Sequence, residues 1–381
     1  MTYEEFTPPI AFEPRIRKSP YFEATRRYGA KRYTVYNHMT MATCFSDPVQ
    51  EYWSLVKDVT VWDVACERQV EVQGPDAARF VRLLTPRNLD ACAPGEGRYV
   101  LITAPDGGII NDAVMLRLGD DQFWLSPGDG DVLLWAQGVA AFAGMDVRII
   151  EPDASPMQIQ GPKAPLVVAT LFGDWAATLG YYRCRETHLG DIPVVLARTG
   201  WSGEIGYEIF LRDGSRGDDL WEAVMNAGKP HRIAPAGPSE IRSIEGGILS
   251  YGCDITREDN PFTIGLDRLV DLEQETDFIG KQALERIRAA GVTRRLVGVE
   301  MDGEPLRCSL EDPWPVFDRD QVIGRMTRAA HSPRLEKNLG FANVPVDKSN
   351  RGDRFMVKTP VGMVQGTVVP RPFITSNKII A

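Results

Sequence analysis

QVEVQGPDAARFVRLLT (69–85) and MQIQGPKAPLVVATLFG (157–173) share one layout. Each runs a strand into Gln-Gly-Pro and out into an apolar-faced helix. The alternation before the turn has the period of a strand, and the spacing after it has the period of a helix. The match predicts an internal duplication of a strand–helix–strand unit. Working outward, RYVLITAPDGGIINDAVMLRLGDDQFWLSPG (98–128) predicts three strands, with turns at Pro105–Gly108 and Gly119–Asp121. A helix over 131–144, ended by Gly144, and a strand over 146–152 follow. In the second copy, IPVVLARTGWSGEIGYEIFL (192–211) reads as two strands around a Gly-rich turn, and 218–228 as a helix. A helix is expected over 239–251. After a charged helix near 281, short strands separated by Gly, Pro and Asp predict a small all-β module.

The chain has 381 residues, too many for one small core. A net charge of −9 argues against general nucleic-acid binding, which draws on a basic surface. The first 30 residues hold no signal-peptide core, and no run reaches the roughly 18 apolar residues of a membrane helix. Six scattered cysteines, with no CxxC pair, are expected to be reduced. The expectation is a cytoplasmic protein that binds neither nucleic acid nor membrane, with a homodimer left open. Residues 1–30 read as an extended surface arm.

Common catalytic signatures are missing: no phosphate loop, no GxSxG elbow, no HExxH. Four histidines, at 38, 188, 231 and 331, are too dispersed in sequence to suggest a metal site. Three clusters stand out instead. RYTVYNHM (32–39) concentrates two Tyr, an Asn and a His, or is simply an aromatic strand. GGIINDAV (107–114) sets Asn111 and Asp112 in an apolar strand, where a carboxylate needs a partner unless it sits at an exposed end. TGWSGEIGYEIF (199–210) surrounds Trp201, Glu204, Tyr207 and Glu208 with glycines, as a flat ligand or a tight hairpin would require.

Taken in order, these clusters resemble the folate-dependent aminomethyltransferase superfamily, whose best-known member serves the glycine cleavage system. TGWSGEIGYEIF resembles its TGYTGEDGFEIF pattern, and GGIINDAV its GGIxDDLV segment. The run from GKQAL to HSPRLEKNLGFANV resembles its closing barrel. YTVYNHM (33–39), YWSLVKDVTVWDVACERQVEVQGPDA (52–76), IQGPK (159–163) and DNPFTIGLDRLVDL (259–272) resemble the dimethylsulfoniopropionate demethylase branch.

The resemblance implies an α+β, three-domain, ring-like fold. Its parts are an arm (1–30), a duplicated α/β folate-binding region (31–285) and a C-terminal β-barrel (286–381). It implies tetrahydrofolate as cofactor, and a methyl group passed to its N5 from a small-molecule donor, dimethylsulfoniopropionate first. A methoxylated aromatic, glycine-cleavage aminomethyl transfer and non-catalytic folate binding are the alternatives. By the same resemblance Glu208 and Asp112 contact the cofactor, with Tyr207 of the Gly-rich cluster and Arg198, for the glutamate tail, as further cofactor-binding candidates. The resemblance also sets Tyr33 and Trp201 near the donor, with Tyr36 beside them; the catalytic candidates are Asp112, Tyr33 and His38, and His38, Tyr36 or Tyr33 would protonate the phenolate leaving a methyl ether. The sequence departs from the glycine-cleavage pattern at Asn111 and at Pro238–Ser239–Glu240, and from the demethylase pattern at Phe210.

Overall fold

The computed structural model describes residues 11–307 and 310–376. Both copies of the duplicated motif form as their patterns dictate. Strand Val70–Gln73 turns at Gly74 into helix Ala77–Leu84, which buries Ala77, Phe80, Val81 and Leu84. Strand Ser155–Gln160 turns at Gly161 into helix Ala164–Phe172, which buries Ala164, Val167 and Val168. The two glycines have φ of +135° and +127°. A Cβ would lie 2.5 Å from the Asp146 carbonyl oxygen at Gly74, and 2.7 Å from those of Leu55 and Asp58 at Gly161. Only glycine satisfies both the angle and the space.

Each copy centres on its own sheet. The first is antiparallel, in the order Glu96–Thr103, Ile109–Arg117, Gln122–Pro127, Val70–Gln73, Arg148–Ile150. The second runs Cys184–Leu189, Ile192–Ala197, Gly206–Leu211, Ser155–Gln160, Val59–Asp63, Ile233–Pro235, the last pair being parallel. Val59–Asp63 precedes the first copy in sequence yet pairs inside the second sheet. The chain therefore crosses from one sheet to the other over residues 64–69.

Alternation gives each sheet two different faces. In Ile109–Arg117, Ala113 and Met115 join the helix-covered core. Leu116 instead meets Trp124, Val195, Ala197 and Phe210 in a cluster shared by the two sheets. Trp124 and Phe210 seal it with ring centroids 5.7 Å apart.

The third unit is a closed six-stranded barrel opening with Arg294–Met301. Leu296 and Phe341 of the barrel share a core with Leu101 and Ile109 of the first sheet. On the other side, Glu245 accepts hydrogen bonds from Ser332 (2.5 Å), Arg334 (3.0 Å) and Tyr52 (2.8 Å). Buried beside it, Arg242 pairs with Glu204 at 2.7 Å. Each unit thus touches the other two, and the α+β arrangement closes on itself.

Three details differ from the sequence reading. The helix expected over 239–251 stops at Glu245, because Gly246 and Gly247 follow and Gly247 takes φ +66°. Helix Lys281–Ala290 runs through the boundary expected near 285. Within the described part of the arm, Phe22–Arg27 is helical and Tyr21 is fully buried, donating to the Ser155 carbonyl at 2.8 Å. The arm is docked by its aromatic residues rather than laid along the surface. Residues 1–10 of it lie outside the described residues, as does Cys308. The five described cysteines are free thiols. Among the described residues no helix is long and apolar enough to cross a membrane.

Candidate active site

Asp112 and Glu208 come from facing sheets. In Ile109–Arg117, Asp112 shares the inner face with Val114 and Leu116; in Gly206–Leu211, Glu208 shares it with Phe210. Glu208 is buried. Its Oε1 accepts from Gln158 Nε2 at 2.6 Å, and its Oε2 accepts from the Thr199 hydroxyl. Gln158 stands directly opposite it across the strand pair, so the sheet itself fixes the carboxylate plane.

Asp112 is held by the Tyr99 hydroxyl, which donates to Oδ2 at 2.7 Å. Its Oδ1 is buried with no donor among the described residues. Burial pushes this carboxyl up to about 6, against the opposing pull of the Tyr99 hydrogen bond. Asp112 Oδ1 and Asn111 Oδ1 lie 3.1 and 3.2 Å from where a Cβ would stand on Gly128. Any side chain at Gly128 would fill that space.

A third acid, Glu67, completes the group, and the sequence reading missed it. It sits in the 64–69 crossing, between the sheets. Ser126 donates to its Oε2 at 3.1 Å, and Gln69 donates to Ser126 at 2.9 Å. Burial, then the charges of Glu208 and Asp112, push its carboxyl well above the usual range. The signal was a charged Glu between two apolar strands, hidden within a stretch that otherwise reads as core.

The remaining unpaired polar atoms here are also acceptors. Gln69 Oε1, Asn111 Oδ1 and Gln158 Oε1 are buried without a donor among the described residues. A flat ligand rich in N–H groups, such as a reduced pterin, answers those acceptors and the Glu208 carboxylate.

The other expected residues divide. Tyr36 faces this group: burial, then Glu67, Cys66 and Asp112, push its phenol well up. Tyr33 lies on the opposite face of the same strand. Its hydroxyl meets Thr25 at 3.0 Å and its ring meets Phe12 and Phe22, so it anchors the arm rather than the site. His38 occupies a two-residue turn with Asn37, both at positive φ. Its side chain is 65% exposed, with Nε2 3.5 Å from Asp131. Its neighbour Asn37 docks the turn instead, donating to the Gly128 carbonyl and accepting from Gly130.

Tyr207 is turned away from Glu208 by strand alternation. It is buried in the outer core and donates to the Ala177 carbonyl at 2.9 Å. Arg198 lies over that ring at 5.2 Å and donates to the Leu179 carbonyl. Tyr207 thus points away from the Glu208 face of its strand, while Arg198 lines a small cavity with Tyr181, Thr199, Gly200, Glu204 and Gly206. Trp201 donates to the Leu249 carbonyl at 3.2 Å, and the Arg328 guanidinium covers its ring at 5.5 Å. That face is already taken by a cation of the barrel.

Comparison with known proteins gives the family and the fold. The GCVT N-terminal domain family matches residues 21–274, and the glycine cleavage T-protein C-terminal barrel domain matches residues 294–374. The chain is 37% identical over 354 residues to a dimethylsulfoniopropionate demethylase of Ruegeria pomeroyi, covering 93% of this chain and 96% of that one. It is 29% identical to an aminomethyltransferase of Symbiobacterium thermophilum, covering 95% and 98%. In fold it is similar to the glycine cleavage aminomethyltransferase T of Bartonella henselae, with a TM-score of 0.85 and 21% identity over 96% of this chain and all of that one.

Proposed function

Because the chain belongs to the glycine cleavage T-protein family and is an enzyme of it, we propose that it is a tetrahydrofolate-dependent demethylase. It takes a methyl group from a small methylated donor, and dimethylsulfoniopropionate is the first donor to test. The observation that carries this reading is the set of buried acceptors around Glu208 and Asp112, open to a donor-rich ring. The 37% identity to a sulfonium demethylase supports the choice of donor.

Tetrahydrofolate, when bound, supplies the N5 lone pair that receives the methyl group. Glu208, its plane set by Gln158 and Thr199, would hold the pterin N–H groups. Asp112, whose Oδ1 lacks a donor among the described residues, would accept the proton released on methyl transfer, and Tyr99 keeps that carboxyl aimed. A carboxyl raised to about 6 is still ionised at neutral pH and is basic enough for the task. A sulfonium departs as a neutral thioether, so no acid is asked of the protein on the leaving side. The residues contribute positioning, which is worth about 7–11 kcal/mol in favourable cases.

The test is mass analysis of the products after incubation with tetrahydrofolate and dimethylsulfoniopropionate. 5-Methyltetrahydrofolate together with methylmercaptopropionate is expected. Folate binding without either product removes the sulfonium and turns the search to methoxylated aromatics or aminomethyl donors.

A further inference from the structure

Asn37 sits at the tip of the hairpin made by Arg32–Tyr36 and Met39–Cys44. Its φ of +48° suits the turn, and glycine would serve there equally well. What sets it apart is burial: Asn37 is 4% exposed at a tip where its neighbour His38 points to water. Three hydrogen bonds tie it to three consecutive residues of another unit. Its backbone N–H donates to Asp129 Oδ1 at 2.8 Å, its Nδ2 donates to the Gly128 carbonyl at 3.1 Å, and its Oδ1 accepts from the Gly130 N–H at 2.6 Å. Residues 128–131 connect strand Gln122–Pro127 of the first sheet to helix Val132–Ala143. That loop lies directly on the acid. The Gly128 N–H donates to the Asp112 carbonyl at 3.1 Å, and Asn111 Nδ2 donates to the Asp129 carbonyl at 3.1 Å. A Cβ on Gly130 would stand 3.0 Å from Asn111 Nδ2, as one on Gly128 would crowd Asp112 Oδ1. The hairpin itself is rooted elsewhere: Met39 belongs to the outer core of the second sheet, and Tyr36 and Met41 pack against it. Asn37 thus joins an element seated on the sheet that carries Glu208 to the loop seated on Asp112.

Resting on the demethylase reading, we infer that Asn37 is a positioning residue for the reaction. Its hydrogen bonds hold the 128–131 loop against Asn111 and Asp112, and so fix the Asp112 carboxyl relative to a pterin bound at Glu208 on the facing sheet. Asn37 touches neither reactant and acts through Asp112. The role is worth having because the acid and the pterin-binding carboxylate belong to different sheets. Proton transfer needs the two groups within hydrogen-bond reach, and a misplacement of about 1 Å costs on the order of 100-fold in rate. A tie between the two sides at the loop that touches the acid keeps that distance.

The test compares wild type, Asn37→Gly and Asp129→Ala in steady-state methyl transfer, tetrahydrofolate titration, amide hydrogen exchange and thermal melts. Asn37→Gly keeps a turn at ease with positive φ and removes the two side-chain hydrogen bonds. Asp129→Ala removes the acceptor of the third. Asn37→Gly should lower kcat about 10–100-fold and leave the tetrahydrofolate affinity and the donor KM unchanged, the signature of an interaction expressed in the transition state. The Gly128 amide, which donates to Asp112, should exchange faster, while amides of the barrel strands keep their protection. Asp129→Ala should move both readouts the same way by a smaller factor. A merely structural role would lower the melting temperature and leave kcat of the folded protein at the wild-type value; that result overturns the assignment, as does unchanged exchange at Gly128. If Asn37→Gly does not fold, Asp129→Ala decides alone. Wild-type methyl transfer with unchanged kcat in the variants sinks the role of Asn37 and leaves the demethylase reading standing. Faster exchange at Gly128 in the variants, with no methyl transfer by wild type from any donor, sinks that reading and with it the role built on it.

Discussion

Replacing Asp112 by Asn should make the protein more stable and less active, and the pH should tell the two effects apart. The carboxyl is raised by burial from its ordinary 3.8 to about 6. At 1.36 kcal/mol per pH unit, that difference is worth about 3 kcal/mol at most. The sign follows from which state holds the proton more tightly. Here it is the folded state, so the stability tied to this group is full below about pH 4. It is lost as the pH rises through about 6. The D112N amide cannot ionise and escapes the loss. Its oxygen can still accept from Tyr99, and its NH2 replaces Oδ1 on the side of Gly128 where Asn111 Oδ1 also lacks a donor. Chemical denaturation at pH 5 and pH 8 should therefore show D112N more stable than wild type at pH 8, by up to about 3 kcal/mol, with the gap narrowing at pH 5 and closing below 4. Activity should move the other way. The wild-type rate should fall as the pH drops below about 6, and D112N should lose roughly 100-fold or more in kcat, as removal of a general base does. A D112N protein no more stable than wild type at pH 8 would refute the claim that burial of this charge is unfavourable. Unchanged kcat would refute its role as base.

The other predictions concern binding and architecture. Glu208→Gln exchanges charge-assisted hydrogen bonds for neutral ones and should weaken tetrahydrofolate binding about 10–100-fold in a fluorescence titration; unchanged affinity would remove Glu208 from the pterin site. Arg242→Ala removes the fully buried cation that Glu204 and Glu245 share, leaving the partly exposed Arg334 beside them, and should destabilise the protein by about 3–5 kcal/mol in denaturant unfolding. A loss below about 1 kcal/mol would mean that Arg334 takes over. Gly161→Ala puts a Cβ against two carbonyl oxygens at a φ that alanine disfavours, and should lower stability by roughly 2–4 kcal/mol in the same assay.

The elements that sequence reading places well are those whose pattern is local. Both Gln-Gly-Pro motifs, the three strands over 98–128 and every barrel strand follow from periodicity and turn residues within a few positions. Asp112 stood out as a carboxylate inside an apolar strand, whereas Glu208 stood out only through its resemblance to the family's TGYTGEDGFEIF pattern; both lie on the inner faces of the two sheets. Tyr33 and Tyr36 show the limit. They share one short motif, but the strand sends them to opposite faces, and only the arm packed on one side reveals which face is which. Tyr207 misled in the same way, one residue from Glu208 and on the other side of the sheet. Glu67 escaped because its setting is made by two sheets distant in sequence. The short helix at 240 was overextended because the apolar positions after Gly246 fit a helical period although the two glycines break it.

The placement of Val59–Asp63 has a consequence for how the protein holds together. That strand comes from the amino-terminal side of the duplicated region but lies between two strands of the carboxy-terminal sheet. Neither half of the repeat is then complete when cut from the other. A fragment ending near residue 150 would leave an orphan strand with its Val59 and Val61 side chains stripped of cover. The partner fragment would lose the strand that ties its edge strand Ile233–Pro235 to Ser155–Gln160. The two copies, whatever their common ancestry, are tied by an internal strand exchange into a single unfolding unit, and the inner faces that carry Asp112 and Glu208 are kept in register by the same exchange.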